Sequence, residues 1–498
     1  MRFFMILEVS RKQDYIFSSK KLRDNAQRSA DISYVTSRVF FEKSAAGLFD
    51  AEKNFIYAGG GHTVLQFDDL EQARAFAKTI TETVLRKWSG LELFVKIRPY
   101  NESLTPGENL KELSKALERK KALRKTSFRQ TDMGMELLNS ETFLPQRKEE
   151  ATSRSYHVSP LPAPEGWEYP SQLEELAGDD NFIAVIHIDG NAMGKRVDTI
   201  YREQSENLQA CCKSLSRFSE GIQRDFEKAF RATEEEIKVL GGFVPPMMPL
   251  RPVVLAGDDV CLVTAGNLGL ECARIFLQKL AAITNEEDQK PYAACAGVAM
   301  VHVKFPFHRA YALSESLCSQ AKKYVAQIDA KSRISAMDWH IEFGQMRDNL
   351  SQIREDYETE DGNRMELRPI VVASPEDISV PPQKNYRFFK SLCQSMQKKS
   401  GQIARSKLKE LRTALRQGAV ESRFFLQDKQ ISDLLYDGIE AQFNTWEERR
   451  EQYEKMVFQN VRLQKEAFAD TDGQVRCLFF DALEMMDHCV FLEEEETP

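Results

Sequence analysis

No Cys-x-x-Cys pair occurs in this sequence. The nine cysteines stand at 211, 212, 261, 272, 295, 318, 393, 477 and 489, so a zinc ribbon is not expected. Their odd number and irregular spacing fit a reducing compartment, where free thiols serve as small core side chains. No apolar run approaches the roughly 18 residues of a membrane span. The opening MRFFMILEVSRKQDYIF lacks a cationic start followed by a long apolar stretch, so no secretory signal is expected and the cytoplasm is the expected location. Excess positive charge is missing too. Lys and Arg number 68 against 76 Asp and Glu, a net charge of -8, which does not favour non-specific coating of nucleic acid. What remains is a chain of 498 residues, 42% hydrophobic and 29% charged. That is the balance of a soluble globular protein, and its length suggests about three domains.

One arrangement occurs twice. Residues 2–9 (RFFMILEV) read as a buried strand, 21–48 as helical, 54–67 (NFIYAGGGHTVLQF) as a hairpin around three glycines, 69–88 as an amphipathic helix and 91–100 as a strand. Leu70, Ala73, Phe76, Ala77, Ile80 and Val84 share one face of that helix. The order returns later. Residues 182–189 (FIAVIHID) are an apolar strand, 203–240 a helix, 252–264 (PVVLAGDDVCLVT) a hairpin, 268–283 a helix, 292–303 a strand and 308–328 a helix. The repeated unit is a ferredoxin-like fold, an antiparallel sheet with helices. Between the copies lie a basic helix, 111–125, and a stretch with five prolines, 144–170. From about 345 the chain turns helical and polar through 384–464, with a basic segment at 399–417 and an acidic end, EEEETP.

The residues that point to chemistry are Asp189, Asp258 and Asp259. Asp189 ends an apolar strand, and Asp258-Asp259 form the turn of the following hairpin. In a ferredoxin-like sheet these elements are neighbours, so three carboxylates meet at one edge. Such a cluster repels itself unless a cation neutralises it. Oxygen ligands favour Mg2+ or Mn2+, and two such ions suit attack of a hydroxyl on a nucleotide α-phosphate. Gly257 permits a tight turn. Gly190 and Gly194, in DGNAMGK, allow backbone amides to approach a triphosphate at a helix start, with Lys195 as a nearby cation. A Gly-Asp-Asp turn alone is an ordinary hairpin; its coincidence with Asp189 is what raises the functional reading.

These residues resemble a known family. A strand followed by Asp-Gly-x-x-Met-Gly-Lys, then Gly-Asp-Asp in a hairpin, is similar to the catalytic palm of the large subunit of type III CRISPR effector complexes, and more distantly to GGDEF and class III nucleotidyl cyclases. LEVSRKQDYIF (7–17) with QRSADISYV (27–35) resembles the family's opening motif. YAGGGHTVLQF (57–67) resembles the hairpin of its first, non-catalytic palm. Residues 296–324 and SAMDWH (335–340) resemble the end of its second palm.

The resemblance implies an α+β fold with two ferredoxin-like palm domains and a helical C-terminal domain. The divisions expected are 1–100 for the first palm, 101–180 for a helical and proline-rich connector, 181–345 for the catalytic palm and 346–498 for the helical domain. It implies Asp189, Asp258 and Asp259 as catalytic metal ligands for two Mg2+ or Mn2+ ions. It implies nucleotide contacts from Gly190, Asn191, Met193, Gly194, Lys195, Gly257 and Lys322, and from Gly59, Gly60, Gly61 and His62 on the first hairpin. The activity implied joins ATP molecules into a cyclic oligonucleotide messenger for antiviral defence. Guide RNA and the backbone and small subunits of a CRISPR complex are implied partners, with no membrane; a homo-oligomer stays open. Two alternatives stay open as well: a structural, RNA-binding large subunit with weak or no catalysis, and a GGDEF-like diguanylate cyclase.

Several positions depart from the family pattern. The first glycine of the acidic motif is Ala256, the second acid after the first strand is Asn191, and the usual Asn after it is Ala192. Glu8 replaces an aspartate, and Arg11-Lys12 replace Gly-Ile. The family's HD nuclease and zinc-binding segment are expected to be absent, so DNA cleavage is not expected. The basic helix 111–125 reads as a solvated face or a phosphate-binding one. His62 reads as a nucleotide contact or a turn residue. His302 and His308 read as structural or exposed, and Cys211-Cys212 as core residues.

Overall fold

The computed structural model describes residues 2–123, 161–344, 350–431 and 467–492, except 18, 20, 89, 178–179, 205–206, 398–403 and 430, together with the two-residue strands β5 (Leu137–Leu138) and β6 (Pro145–Gln146). The expectations for 124–125, for most of the proline-rich stretch, for 399–403, for 432–464 and for the acidic tail fall outside these residues.

The first unit is a four-stranded sheet of β1 (Phe3–Ser10), β2 (Phe55–Gly59), β3 (His62–Phe67) and β4 (Glu92–Pro99). Its order is β2-β3-β1-β4 with every neighbour antiparallel, which is the ferredoxin-like arrangement. The helix expected over 21–48 is broken. Leu22–Val35 ends at Thr36, and Ser37 caps a new helix, Arg38–Ser44, by accepting from the Phe40 amide at 3.2 Å. The helix Leu70–Lys87 starts on Asp69, which accepts from the Gln72 amide at 2.8 Å, and it buries Ala73, Phe76, Ile80 and Val84. The basic helix spans Pro106–Ala122. A Thr105–Glu108 capping box and a proline at its start explain its earlier beginning. Its lysines are largely committed within the protein. Lys111 pairs with Asp198 at 2.7 Å, Lys120 donates to the Val95 carbonyl at 2.8 Å, and Lys121 pairs with Glu8 at 2.8 Å.

The second unit repeats the order with β7 (Phe182–Gly190), β8 (Leu250–Ala256), β9 (Asp259–Ala265) and β10 (Ala294–His302). Its sheet runs on through β11 (Ser335–Glu342) and β12 (Ile370–Ala373). Here the expectation of a purely antiparallel sheet needs correction, because β11 lies parallel to β10. The physical reason is the helix Phe307–Ile328 between them, since parallel neighbours require a crossover connection. β7 and β10 read as near-continuous apolar runs because they are buried along nearly their whole length, whereas β11 is equally buried but carries Asp338, His340 and Glu342.

A last hairpin, β13 (Phe468–Thr471) with β14 (Gln474–Cys477), and the helix Phe480–Met485 close the described chain. Arg368 fastens this part to β11. It is fully buried, 5.1 Å from the Trp339 ring centre, and its guanidinium lies 2.6 Å from Glu484 and 3.5 Å from Asp481. Removing one partner of such a pair typically costs about 3–5 kcal/mol. Among the described residues no helix is long and apolar enough to cross a membrane.

The two units pack against each other through their helices as well as their hairpin turns, with the helix Leu22–Val35 against β8 and the helix Leu208–Leu240 against β2. The short helix Lys12–Ile16 leaves the first unit and reaches the second. Gln13 donates to Glu315 at 3.0 Å, and the Phe17 ring lies 4.3 Å from Tyr311. Ser219, on the helix Leu208–Leu240, donates to the Ala58 carbonyl at 2.6 Å.

Candidate active site

In both units the first strand passes its helix through a non-glycine residue in the left-handed region: Arg11 with φ 51° and Ala192 with φ 57°. That conformation is uncommon for such residues and marks a backbone held by its surroundings. The registers also correspond. Glu8 faces His62 across β1 and β3, and Asp189 faces Asp259 across β7 and β9. One unit therefore presents an acid–histidine pair where the other presents two acids. The hairpin turns abut, since a side chain at Gly257 would lie 3.8 Å from the Gly60 amide nitrogen.

The acidic turn is built to leave no room. Gly257 has φ 68°, and its amide donates to Gln223 at 2.6 Å. The Gly190 amide donates to the Asp258 carbonyl at 3.2 Å, and a Cβ on Gly190 would fall 2.9 Å from that of Asp258. Asp189 pairs with Lys322 at 2.6 Å, and Lys322 also donates to the Gly190 carbonyl at 2.9 Å. Burial, and then the charge of Asp189, raise Asp258 to about 6 and Asp259 to about 7. Water reaches about half of the Asp259 side chain, 48%, yet its Oδ1 is enclosed beside His187 Nδ1 at 3.6 Å and has no hydrogen-bond partner.

A divalent cation fits this donor set. Two acids with raised pKa values and an orphaned carboxylate oxygen are what such an ion would relieve. Among the described residues no three His, Cys, Asp or Glu side chains form a ready-made metal cage. That arrangement is compatible with Mg2+, which usually binds through one or two carboxylates and keeps several waters.

The other expected residues divide. Gly194 faces open space at the start of the helix Met193–Glu203, and Met193 packs beneath Gly190. Lys195 donates to the Ala330 carbonyl at 2.9 Å, and Asn191 turns inward, its Nδ2 donating to the Ile334 carbonyl at 2.8 Å. Gly60 and Gly61 carry φ 55° and 76°, and a Cβ on Gly59 would meet the Ser219 hydroxyl at 2.6 Å. His62 stands edge-on to Tyr57, and burial lowers its pKa to about 4, so its ring is neutral. Gln223 and Ser219 carry no signal in the sequence, because nothing in a long amphipathic helix marks the turn that meets a hairpin. Lys12 had a signal, its departure from the family's apolar residue. Its ammonium is bonded to the Gly60 carbonyl and lies within electrostatic reach of Asp258 and Asp259.

Residues 182–330 match the family model described as Cas10/Cmr2, second palm domain. No curated protein matches the chain. Among solved structures it is similar to a Csm1–Csm4 cassette in complex with pppApApA, at 13% identity and a TM-score of 0.51, over 98% of this chain and 69% of that one. It is also similar to a Csm1–Csm4 cassette in complex with AMPPNP, at 15% identity and a TM-score of 0.50, over 87% and 64%. A third cassette, in complex with cA3, aligns at 16% identity and a TM-score of 0.45, with this chain spanning 53% of that one. At these identities the structural likeness is one of fold. Together with the family-model match, it supports the resemblance to the large-subunit family.

Proposed function

We propose that this chain is a nucleotidyltransferase of the type III CRISPR large-subunit kind, joining ATP molecules at the cleft between its two palms. The observation that carries this reading is the pairing of Asp189 with Asp259, with Asp258 at the adjoining turn, directly facing a glycine hairpin from the other palm. In the proposed step a ribose 3′-oxygen bonds to the α-phosphorus of a second ATP. The bond to the β-phosphate oxygen breaks, pyrophosphate leaves and the hydroxyl proton passes to water. Asp189, Asp258 and Asp259 would hold Mg2+ or Mn2+, which when bound acidifies the attacking hydroxyl and neutralises the leaving group. Lys322 fixes Asp189, and the glycines at 60, 61 and 257 let the two backbones approach a ligand closely. Repetition closes the chain into a cyclic messenger. The Asp258→Ala/Asp259→Ala protein should yield no product from labelled ATP and Mg2+; unchanged synthesis would sink the assignment. Supplying each nucleoside triphosphate separately distinguishes this from a diguanylate cyclase, which would use GTP.

A second reading is a structural large subunit with a silent palm, docked on a guide-RNA complex and a Csm4-like neighbour. It is favoured by Lys322 already engaging Asp189 and by the neutral Asn191 in place of an acid. It predicts copurification with guide RNA and no nucleotide product under any trigger.

A further inference from the structure

The helix Met193–Glu203 leaves the acidic strand without a side-chain cap, and its first turn carries Arg196, seven residues after Asp189. Arg196 is only 7% exposed. Its guanidinium grips Asp288 with two bonds, Nε to Oδ2 at 2.6 Å and Nη2 to Oδ1 at 2.6 Å, and Nη2 also donates to the Lys290 carbonyl at 3.3 Å. The rings of Phe218 and Tyr292 lie against it, with centres 5.2 and 4.8 Å away. A two-pronged bond of this kind fixes direction as well as distance. Asp288 and Lys290 belong to the loop before β10, and Phe218 to the helix Leu208–Leu240.

The stretch of that long helix from Phe218 to Asp225 also meets both hairpins. Ser219, next to Phe218, holds the Ala58 carbonyl of the first palm, and Gln223 holds the Gly257 amide of the second. Asp225 accepts from the Tyr292 hydroxyl at 2.9 Å, and Asn285 donates to the same hydroxyl at 2.6 Å. Asn285 also accepts from the Glu287 amide at 2.9 Å, so the loop that carries Asp288 is itself held in shape. The neighbouring side chains of Asn191 and Lys195 turn elsewhere, to the Ile334 and Ala330 carbonyls just before β11. Of these three side chains, Arg196 is the one that docks the start of its helix onto the segment registering the hairpins.

We propose that Arg196 is a positioning residue for nucleotide joining: through Asp288, Phe218 and Tyr292 it fixes the helix start, and with it the turn at Gly190, against the helix segment that holds both hairpin turns. This rests on the nucleotidyltransferase reading of the same cleft. Arg196 touches no reacting atom. It acts through the backbone that follows Asp189, which places the donor nucleotide beside the acids. Joining needs the α-phosphorus in line with the attacking 3′-oxygen, and a misplacement of about 1 Å costs about 100-fold. Lysine would keep the charge, but its point-like ammonium cannot make the two-pronged bond or lie flat between two rings.

The test compares Arg196→Lys with the parent in the full chain, through two readouts that do not scale with the amount of folded protein. The first is the dissociation constant of a non-hydrolysable ATP analogue in Mg2+, which should rise at least about fivefold. The second is the ratio of joining rates with the two diastereomers of α-thio-ATP, in which sulfur replaces one non-bridging α-oxygen. The parent should prefer one diastereomer, and the preference should shrink at least about threefold in the variant, because a loosely held α-phosphate no longer meets the acids in one orientation. The control is Arg354→Lys, since Arg354 pairs with Asp338 on β11 at 2.6 Å and is also largely enclosed. It should leave both readouts unchanged even where it lowers the melting temperature as much. If thermal melting shows that Arg196→Lys does not fold, Asp288→Asn decides in its place. Either readout unchanged in Arg196→Lys, a parent with no diastereomer preference, or equal losses in Arg354→Lys overturns the proposal. Where the parent binds the analogue but forms no product, the dissociation constant alone decides, and its rise in the variant sinks only the catalytic reading. Product formation with both readouts unchanged sinks only the positioning role. A parent that neither binds nor joins nucleotides overturns both.

Discussion

Lys322 lies 2.6 Å from Asp189 while donating to the carbonyl of Gly190, so one ammonium holds both the acid and the turn that follows it. The pair is part-exposed, and pairs of that kind contribute about 0.2–1 kcal/mol to stability. Its consequence is therefore for chemistry. Lys322→Met should leave the melting temperature within a few degrees of the parent while lowering nucleotide joining by about 100-fold, the scale of a lost charge contact in a transition state. A fall in melting temperature matching the loss of activity would show that the lysine only supports the fold.

The raised carboxylates give a pH signature. Asp258 and Asp259 hold protons up to about 6 and about 7, against an unfolded value of 3.8. The folded chain thus binds more protons than the unfolded one between about pH 4 and pH 7, so this pair makes the metal-free protein less stable as pH rises through that window. The same rise frees the carboxylates for a cation. Melting followed from pH 4.5 to 8 in chelator should show a decline that Asp258→Asn/Asp259→Asn reduces, and Mg2+ should stabilise the parent more at pH 8 than at pH 5.5. Because the two acids interact, the apparent values belong to the pair. Identical profiles for parent and variant would contradict the pKa assignments.

Gly190 and Gly194 stand four residues apart and should answer to alanine in opposite ways. A methyl group on Gly190 would lie 2.9 Å from the Asp258 Cβ and 3.1 Å from the Met193 side chain. Gly190→Ala should cost about 1–3 kcal/mol and displace the acidic turn. Gly194 has nothing within 4 Å. Gly194→Ala should stabilise its helix by about 0.5–1 kcal/mol. If a triphosphate lies against that helix start, the same variant should still lose catalytic efficiency. A more stable and fully active Gly194→Ala protein would place the phosphates elsewhere.

What could be read from the sequence follows from local physics. The strand ending at Asp189, the two glycine-bearing hairpins and the amphipathic helix at 70–87 announce themselves through periodicity and turn chemistry, and Gly60, Gly61 and Gly257 do take positive φ. The break at Thr36-Ser37 was hidden because the flanking apolar spacing continues across it. β12 was hidden because four residues carry too little pattern to show that they extend a sheet. At the site, the strand end at Asp189 and the Asp258-Asp259 turn were legible, and the register sets Asp189 opposite Asp259. Gln223 on the Gly257 amide, Arg196 on Asp288 and Lys195 turned to Ala330 were not, since each depends on contacts that periodicity does not encode.

Lys12 supplies the last prediction. It replaces an apolar residue of the family pattern and places a mostly buried ammonium at the seam, bonded to Gly60 and facing Glu8, Asp259 and Asp258. Desolvation lowers its pKa and those acids raise it, while its charge in turn lowers that of Asp259. Lys12→Met keeps the length and removes the charge. Asp259 should then hold its proton to a higher pH than the present value near 7, and the rising limb of the activity profile should move to more alkaline pH. Lys12→Arg, which keeps the charge, should restore the original limb even if the larger head group slows the reaction. Both variants lose some packing against Gly61, so stability alone does not separate them. The position of the limb does. An unshifted profile in Lys12→Met would mean that the lysine only holds the first hairpin, and that the chemistry is governed entirely by the second palm.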